Sequence, residues 1–338
     1  MKQRTRWTNK RHAGWLLISF SLFLFLLINF LLLKSDSRWD GKRRLTLAIQ
    51  TIGETIPNQN KPLVIFSLEP QEDNATYFTL QQNTLLDVPF GYKIYLASSV
   101  YNLGELENGK KGGLLLSKSI ESTLGVAIDA YLVVKNHSLV LPESKESIKK
   151  FKSTYFTLIK GILLLPKLLA TPKTIETNLS TLDRWRLWNA IRSLRADQID
   201  FRDLGQTDAL QDSQLADKTP VKTIEKELFD AVTSDSFQDT AVRRDNITLE
   251  VVNATERERE AWAFSRILEH MGGNVIAKTT AKKSSSETCL LYYSSPSLDA
   301  TAIALRLKQL YSCVKKDSID NEESLADIKI VLGEGFVK

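Results

Sequence analysis

The sequence predicts a mixed α/β protein in three parts: an N-terminal transmembrane helix, an α/β domain, and a small βαββαβ domain at the C-terminal end. Three observations predict it. Residues 15–33, WLLISFSLFLFLLINFLLL, carry no formal charge over nineteen positions. As a helix rising about 1.5 Å per residue, such a run is roughly 28 Å long, close to the hydrocarbon thickness of a bilayer, and it bonds all its backbone groups internally. Beyond it, short alternating or wholly apolar runs of strand type are interleaved with stretches of helical periodicity. Finally, residues 246–338 order their elements strand, helix, strand, strand, helix, strand, which closes one sheet with two helices on a face.

The bulk properties agree. A chain of 338 residues allows about two folded domains, and 43% hydrophobic with 25% charged residues is an ordinary globular balance. The net charge of +5 is largely local. Lys2, Arg4, Arg6, Lys10 and Arg11 precede the apolar run, and Lys34, Arg38, Lys42, Arg43 and Arg44 follow it. Charges so placed flank a membrane and form no basic face on a folded domain, so no nucleic-acid partner is expected. Five on each side leave the charge count tied. The short segment 1–14 is therefore assigned to the cytoplasm, and the long remainder outside the cell membrane. No small-residue cleavage site follows the run, which reads as an uncleaved, single-pass signal anchor.

Cys289 and Cys313 lie outside any C-x-x-C pattern, which excludes a zinc ribbon and a disulfide-dense scaffold. Two buried thiols are the simpler expectation, and a single disulfide is chemically allowed outside the cytoplasm. His12, His137 and His270 have no partner at i, i+4, so no metal site and no cofactor are predicted.

In chain order, residues 34–43 read as a short tether and 44–49 as a first strand. The nearly all-apolar 63–68 is a second, central strand, and 76–80 a third that returns as a hairpin. Residues 81–113 are loop-rich; Asp87, Gly91 and Gly104 are the positions to consider for a phosphate cradle, although plain turns are the simpler account of them. A helix over 113–124 ends at Gly125, and 126–134 is a strand. Residues 143–170 are helical, with Pro166 as a kink or stop and with an apolar portion too short to span a bilayer. Ser180 and Asp183 form a capping box that opens the helix LDRWRLWNAIRSLRA. Its Leu182, Trp185, Leu187, Trp188, Ile191 and Leu194 form a core-facing stripe, with Arg184, Arg186, Arg192 and Arg195 on the other faces. A solvated face is the simpler reading of these arginines, an anionic-ligand face the alternative. Polar residues 206–222 read as a linker, and 206–245 as linker plus short helix.

The C-terminal residues 246–338 resemble the LytR C-terminal domain. The resemblance is carried by 247–255 (ITLEVVNAT), 291–293 (LYY), 302–307 and 326–333, with V-x-N-A-T as its most specific element. Where that family often has a glycine-containing turn, this chain has residues 256–260, ERERE, which predicts a helix starting earlier, with acids at its N-terminus.

Residues 44–205 are similar to a LytR-CpsA-Psr domain. The match runs through 62–68 with 77–84, through 96–101, through SIESTLGVAIDAYLVV (119–134), and through 177–180. The resemblance implies a membrane-anchored extracytoplasmic domain that moves anionic polymers from a polyprenyl-pyrophosphate carrier to peptidoglycan, with the membrane, the polyprenyl lipid and peptidoglycan or another envelope glycan as partners. Pyrophosphate handling needs forked arginines and cation-holding carboxylates. The family's S-I-P-R-D-T motif falls on TLQQNT, residues 79–84, so that Gln82 and Asn83 stand where the arginine and aspartate belong. Its G-x-D-x-R loop and D-T-I aspartate fall on 49–53 and near Lys61 without acid or arginine, and its R-x-R and R-Q-Q segment has no counterpart in 134–151.

These departures predict a degenerate, non-catalytic relative, a pseudoenzyme that binds wall glycan or envelope proteins through its C-terminal domain. Gln82, Asn83, Arg184, Arg192 and Arg195 are the candidates for a vestigial ligand pocket. The alternative is a divergent phosphotransferase using those arginines. Transcriptional regulation is excluded by the fourteen residues on the predicted cytoplasmic side, too few for a DNA-binding fold.

Overall fold

A computed structural model describes residues 37–53, 61–106, 111–135, 139–157, 174–316 and 324–336. The apolar run at 15–33 lies outside them; among the described residues no helix is long and apolar enough to cross a membrane.

The first lobe contains β1 (Leu45–Ile52), β2 (Leu63–Glu69), β3 (Asn74–Leu80), β4 (Leu85–Asp87) and β5 (Ile94–Leu96), then helices α1 (Ala97–Glu105) and α2 (Gly112–Leu124). These are followed by β6 (Ala130–Lys135), α3 (Lys145–Tyr155), β7 (Ile175–Thr177), α4 (Thr181–Ser193), β8 (Ile199–Asp203), β9 (Leu210–Gln214), β10 (Pro220–Ile224), α5 (Lys226–Thr233) and α6 (Thr240–Asp245). Six strands join in the order β7-β6-β1-β2-β3-β8. The β2–β3 hairpin pairs Leu63 with Leu80 and Glu69 with Asn74. Central β2 is buried on both faces, as its unbroken apolar sequence requires.

Strand alternation divides the core in two. Ala48, Leu63, Ile65 and Phe78 point to one face and pack with Val100, Leu116, Ile120 and Phe229 of α1, α2 and α5. Leu47, Ile49, Val64, Phe66 and Tyr77 point to the other, under Ile148 of α3 and under Leu187, Ala190 and Ile191 of α4. Helix α2 ends where expected, on Gly125 at φ 68°. The capping box opening α4 is formed from both sides, Asp183 N–H to Ser180 Oγ (3.1 Å) and Ser180 N–H to Asp183 Oδ2 (3.4 Å).

Several expectations are corrected. Residues 37–43 are not a free tether: Trp39 is 2% exposed and is held by its indole N–H on the Arg43 carbonyl (2.8 Å). Residues 206–222 are not a linker: Ala209 and Leu210 are core residues of the first lobe and β9 and β10 form a hairpin, while the short helix expected after them is α5, whose Phe229 joins the same core. The α4 stripe does not face the core as one surface. Leu187, Ile191 and Leu194 do, whereas Trp185 is 47% exposed. Of the helix expected over 143–170, Lys145–Tyr155 is formed, capped by Ser144 and Ser147, and 158–170 lie outside the described residues.

The second lobe consists of β11 (Thr248–Ala254), α7 (Glu260–His270), β12 (Asn274–Thr280), β13 (Cys289–Tyr293), α8 (Ala302–Tyr311), β14 (Val314–Lys315) and β15 (Ile328–Gly333), its sheet ordered β12-β11-β15-β13-β14. Phe264, Ile267 and Leu268 of α7 and Ile303, Ala304 and Leu307 of α8 cover the same face, against Leu249, Val251, Leu291 and Ile330. Residues 256–259 do not start the helix early. Arg259 takes a left-handed conformation (φ 66°), and the turn is closed by Asn253, which donates Nδ2–H to the Arg257 carbonyl (2.7 Å) and accepts from the Thr255 N–H (3.0 Å). Cys289 and Cys313 form a disulfide between neighbouring β13 and the start of β14, rather than two free thiols.

The lobes are joined by buried charge. Arg306 of α8 donates to the Arg44 carbonyl (3.1 Å) and pairs with Asp129 (3.2 Å) and Asp239 (3.7 Å). Burial opposes the Arg306 charge, but the two aspartates outweigh it and hold its pKa above the ordinary arginine value. Arg266 of α7 grips Asp230 at 2.9 and 2.6 Å and also reaches the Leu124 carbonyl (3.2 Å).

Candidate functional site

Residues 81–84 leave β3 and turn toward β4. Gln82 is 3% exposed there. Its side-chain Oε1 accepts from Gln50 Nε2 at 3.2 Å, and its backbone carbonyl accepts from Ser98 N–H at 3.0 Å. Gln50 belongs to the segment 49–53, the other place where the resemblance expects charge. Two neutral amides, both at positions where the resemblance expects charge, are thus bonded to each other. Asn83 is tied to β10 through its carbonyl, which accepts from Lys222 N–H (3.1 Å).

Gln82 and Asn83 line a cavity of about 560 Å³. The other polar groups on its wall are Thr79, Gln81, Ser98, Thr219 and the carboxylates of Glu143 and Asp203, and among the described residues no arginine or lysine lines it. Asp203 is fixed by Thr79 Oγ1 (3.2 Å), Gly205 N–H (3.0 Å) and Gln206 Nε2 (3.2 Å). Such a wall offers amide donors and acceptors, hydroxyls and carboxylates, and no counter-charge for a pyrophosphate. Among the described residues no group of three or more His, Cys, Asp or Glu side chains could hold a metal ion.

The arginines of the expected pocket are elsewhere. Arg184, Arg192 and Arg195 belong to α4 and the turn after it, on the sheet face opposite to Ala48, Ile65 and Phe78. Arg184 donates to Thr181 Oγ1 (2.8 Å) and the Ser180 carbonyl (3.4 Å), and burial lowers its pKa. Arg192 bonds Asn189 (3.2 Å) and lies over the Trp188 ring, and Arg195 pairs with Asp197 (2.7 Å). The structure brings Gln82 and Asn83 together and does not bring the three arginines to them.

In the glycine-rich stretch, Asp87, Gly91 and Gly104 serve an ion pair, a turn and helix packing. Asp87 pairs with Lys226 (3.1 Å), and Gly91 supplies a positive φ of 88° at a hairpin turn. Gly104 is a packing glycine: a Cβ there would meet Gly112 Cα at 2.7 Å, so α1 and α2 touch backbone to backbone. Glu143 and Asp203 were not singled out in the sequence. Each stands at an element end far from the motif, Glu143 just before the α3 cap and Asp203 closing β8, and nothing local to either residue points to the cavity.

No family model matches the chain, and no curated protein sequence matches it. Among solved structures, the chain is similar to Bacillus subtilis TagV, with a TM-score of 0.41 and 10% identity over 56% of this chain and 94% of that one. It is similar to B. subtilis TagT at a TM-score of 0.37 and 14% identity, over 57% and 89% of the two chains. Protein gbs0355 of Streptococcus agalactiae gives a TM-score of 0.41 and 12% identity, over 56% and 85%.

Proposed function

We propose that this protein is a non-catalytic, membrane-anchored cell-envelope protein that binds wall glycan outside the cytoplasm. The observation that carries the reading is the chemistry of the 560 Å³ cavity: Gln81, Gln82, Asn83, Glu143 and Asp203 line it, with no arginine or lysine among its described lining residues. A pyrophosphate placed there would face two carboxylates and no cation among the described lining residues. A sugar, whose hydroxyls both donate and accept, finds partners in every one of these groups. The glycan is accordingly assigned to the first lobe and not to the C-terminal domain.

Two further features support the location. The uncharged run at 15–33 suits a membrane anchor. The Cys289–Cys313 disulfide suits an oxidising compartment.

The test is calorimetric titration of the full-length protein in detergent with two ligands, a neutral peptidoglycan fragment and a short-chain polyprenyl pyrophosphate with magnesium, alongside an assay for pyrophosphate or lipid-phosphate release. Glycan binding that is weakened about tenfold in Asp203→Asn, the loss of one charged hydrogen bond, is expected, without turnover. Magnesium-dependent release of lipid phosphate, abolished in Arg192→Ala, would favour the phosphotransferase and overturn the reading.

A further inference from the structure

We infer that the outward face of α4, centred on Trp185, rests on the surface of the bilayer and binds anionic lipid headgroups. The inference rests on the anchor reading of residues 15–33 and goes beyond it by assigning the orientation of the folded part.

The reach of the chain gives the first argument. Four peptide steps separate Leu33, the last residue of the apolar run, from Ser37. Fully extended they cover about 14 Å. Ser37 is locked to the first turn of α4: its Oγ–H donates to Asp183 Oδ1 at 2.6 Å, and the N–H groups of Arg38 and Trp39 donate to the same carboxylate at 3.1 and 3.3 Å. Arg186 adds a bond from Nη1 to Ser37 Oγ at 2.7 Å. The first turn of α4 is therefore held within about one extended tetrapeptide of the membrane edge.

Composition gives the second. The inward side of α4 is spent on the sheet through Leu187, Ala190 and Ile191. The outward side still carries a large aromatic, Trp185, at 47% exposure, two positions after the clamping Asp183. Of the four arginines in residues 181–195, Arg186 belongs to the clamp on the buried Asp183 and Arg195 pairs with Asp197, whereas Arg184 and Arg192 bond hydroxyl, carbonyl and amide groups. Outward of the core the helix thus presents Trp185 with the guanidinium groups of Arg184 and Arg192. Tryptophan partitions to the headgroup level, where its ring is in the apolar margin and its N–H in water, and arginines there gain from negative lipid. A helix exposed to bulk solvent has no need of this combination. A helix lying in the interface plane does.

The test uses the full-length protein in nanodiscs containing phosphatidylglycerol, with and without a phospholipid bearing a doxyl quencher near the headgroup. The emission of Trp185 is read as the difference between wild type and Trp185→Phe, and that of Trp262, an exposed tryptophan of α7, as the difference from Trp262→Phe. The quencher is expected to lower the Trp185 difference about twofold or more and to leave the Trp262 difference unchanged. Arg184→Gln with Arg192→Gln should reduce the Trp185 quenching in anionic discs while the thermal midpoint holds. An unquenched Trp185 in protein that still resists alkaline carbonate extraction overturns the docking and leaves the anchor standing. Release of the protein by carbonate overturns the anchor, and the docking with it.

Discussion

Arg306 Nη1 lies 3.2 Å from Asp129 Oδ1, and the two side chains are 4% and 5% exposed. One residue is in the last helix of the second lobe and the other precedes β6 of the first, so the lobe junction contains a desolvated ion pair. Removing one member leaves the other as an uncompensated buried charge, a loss of about 3–5 kcal/mol. Arg306→Met is expected to lower the unfolding free energy by that amount in denaturant titration. Asp129→Asn should cost less in the Arg306→Met background than in the wild type, because the pair it breaks is already gone.

The disulfide joins cysteines separated by 24 residues. Closing a loop of that length removes conformations from the unfolded chain worth about 3 kcal/mol in the entropy model. Cys289→Ser with Cys313→Ser should lower the thermal midpoint, and reductant should lower that of the wild type toward the same value. A wild-type midpoint indifferent to reductant would exclude the contribution.

His270 supplies the pH dependence. Burial lowers its pKa below the ordinary 6.5, outweighing the Gly125 carbonyl that accepts from its Nδ1–H at 2.8 Å and the Asp230 carboxylate 3.4 Å from Nε2. Above pH 6.5 the ring is neutral in both folded and unfolded chains and the group makes no pH-dependent difference. Below it the unfolded chain takes up the proton first, so stability falls with falling pH until the folded ring also titrates. His270→Gln keeps a donor for Gly125 and removes the titration. Its stability curve should be flatter than that of the wild type by up to about 1.4 kcal/mol per pH unit on the acid side of 6.5.

What was legible in the sequence was periodic. The β2–β3 hairpin, the glycine stop of α2, the Ser180–Asp183 capping box and the succession of elements in the second lobe all follow from patterns within about fifteen residues. What was not legible depended on partners far away. Residues 206–222 are polar in composition, yet Ala209, Leu210 and Val221 are enough to anchor the β9–β10 hairpin in the first core. The stripe on α4 counted every apolar residue as inward, although Leu187 and Trp185 are two positions apart and so lie on different sides of a helix. The candidate site was half visible. Gln82 and Asn83 were marked by charges they lack, whereas Glu143 and Asp203 reach the same cavity only through the packing of α3 and β8.

Arg44 opens β1, and its carbonyl is bonded by Arg306, 262 residues later in the chain. At a synthesis rate of about 5–20 residues per second, roughly 13–50 s pass between the appearance of the first partner and of the second. Asp129 and Asp239 emerge within that interval, about 177 and 67 residues ahead of Arg306, and stand without the cation they share until it is made. The first lobe, whose last helix ends at Asp245, therefore waits for a residue of the second, and a chain cut short before α8 would leave both aspartates without Arg306.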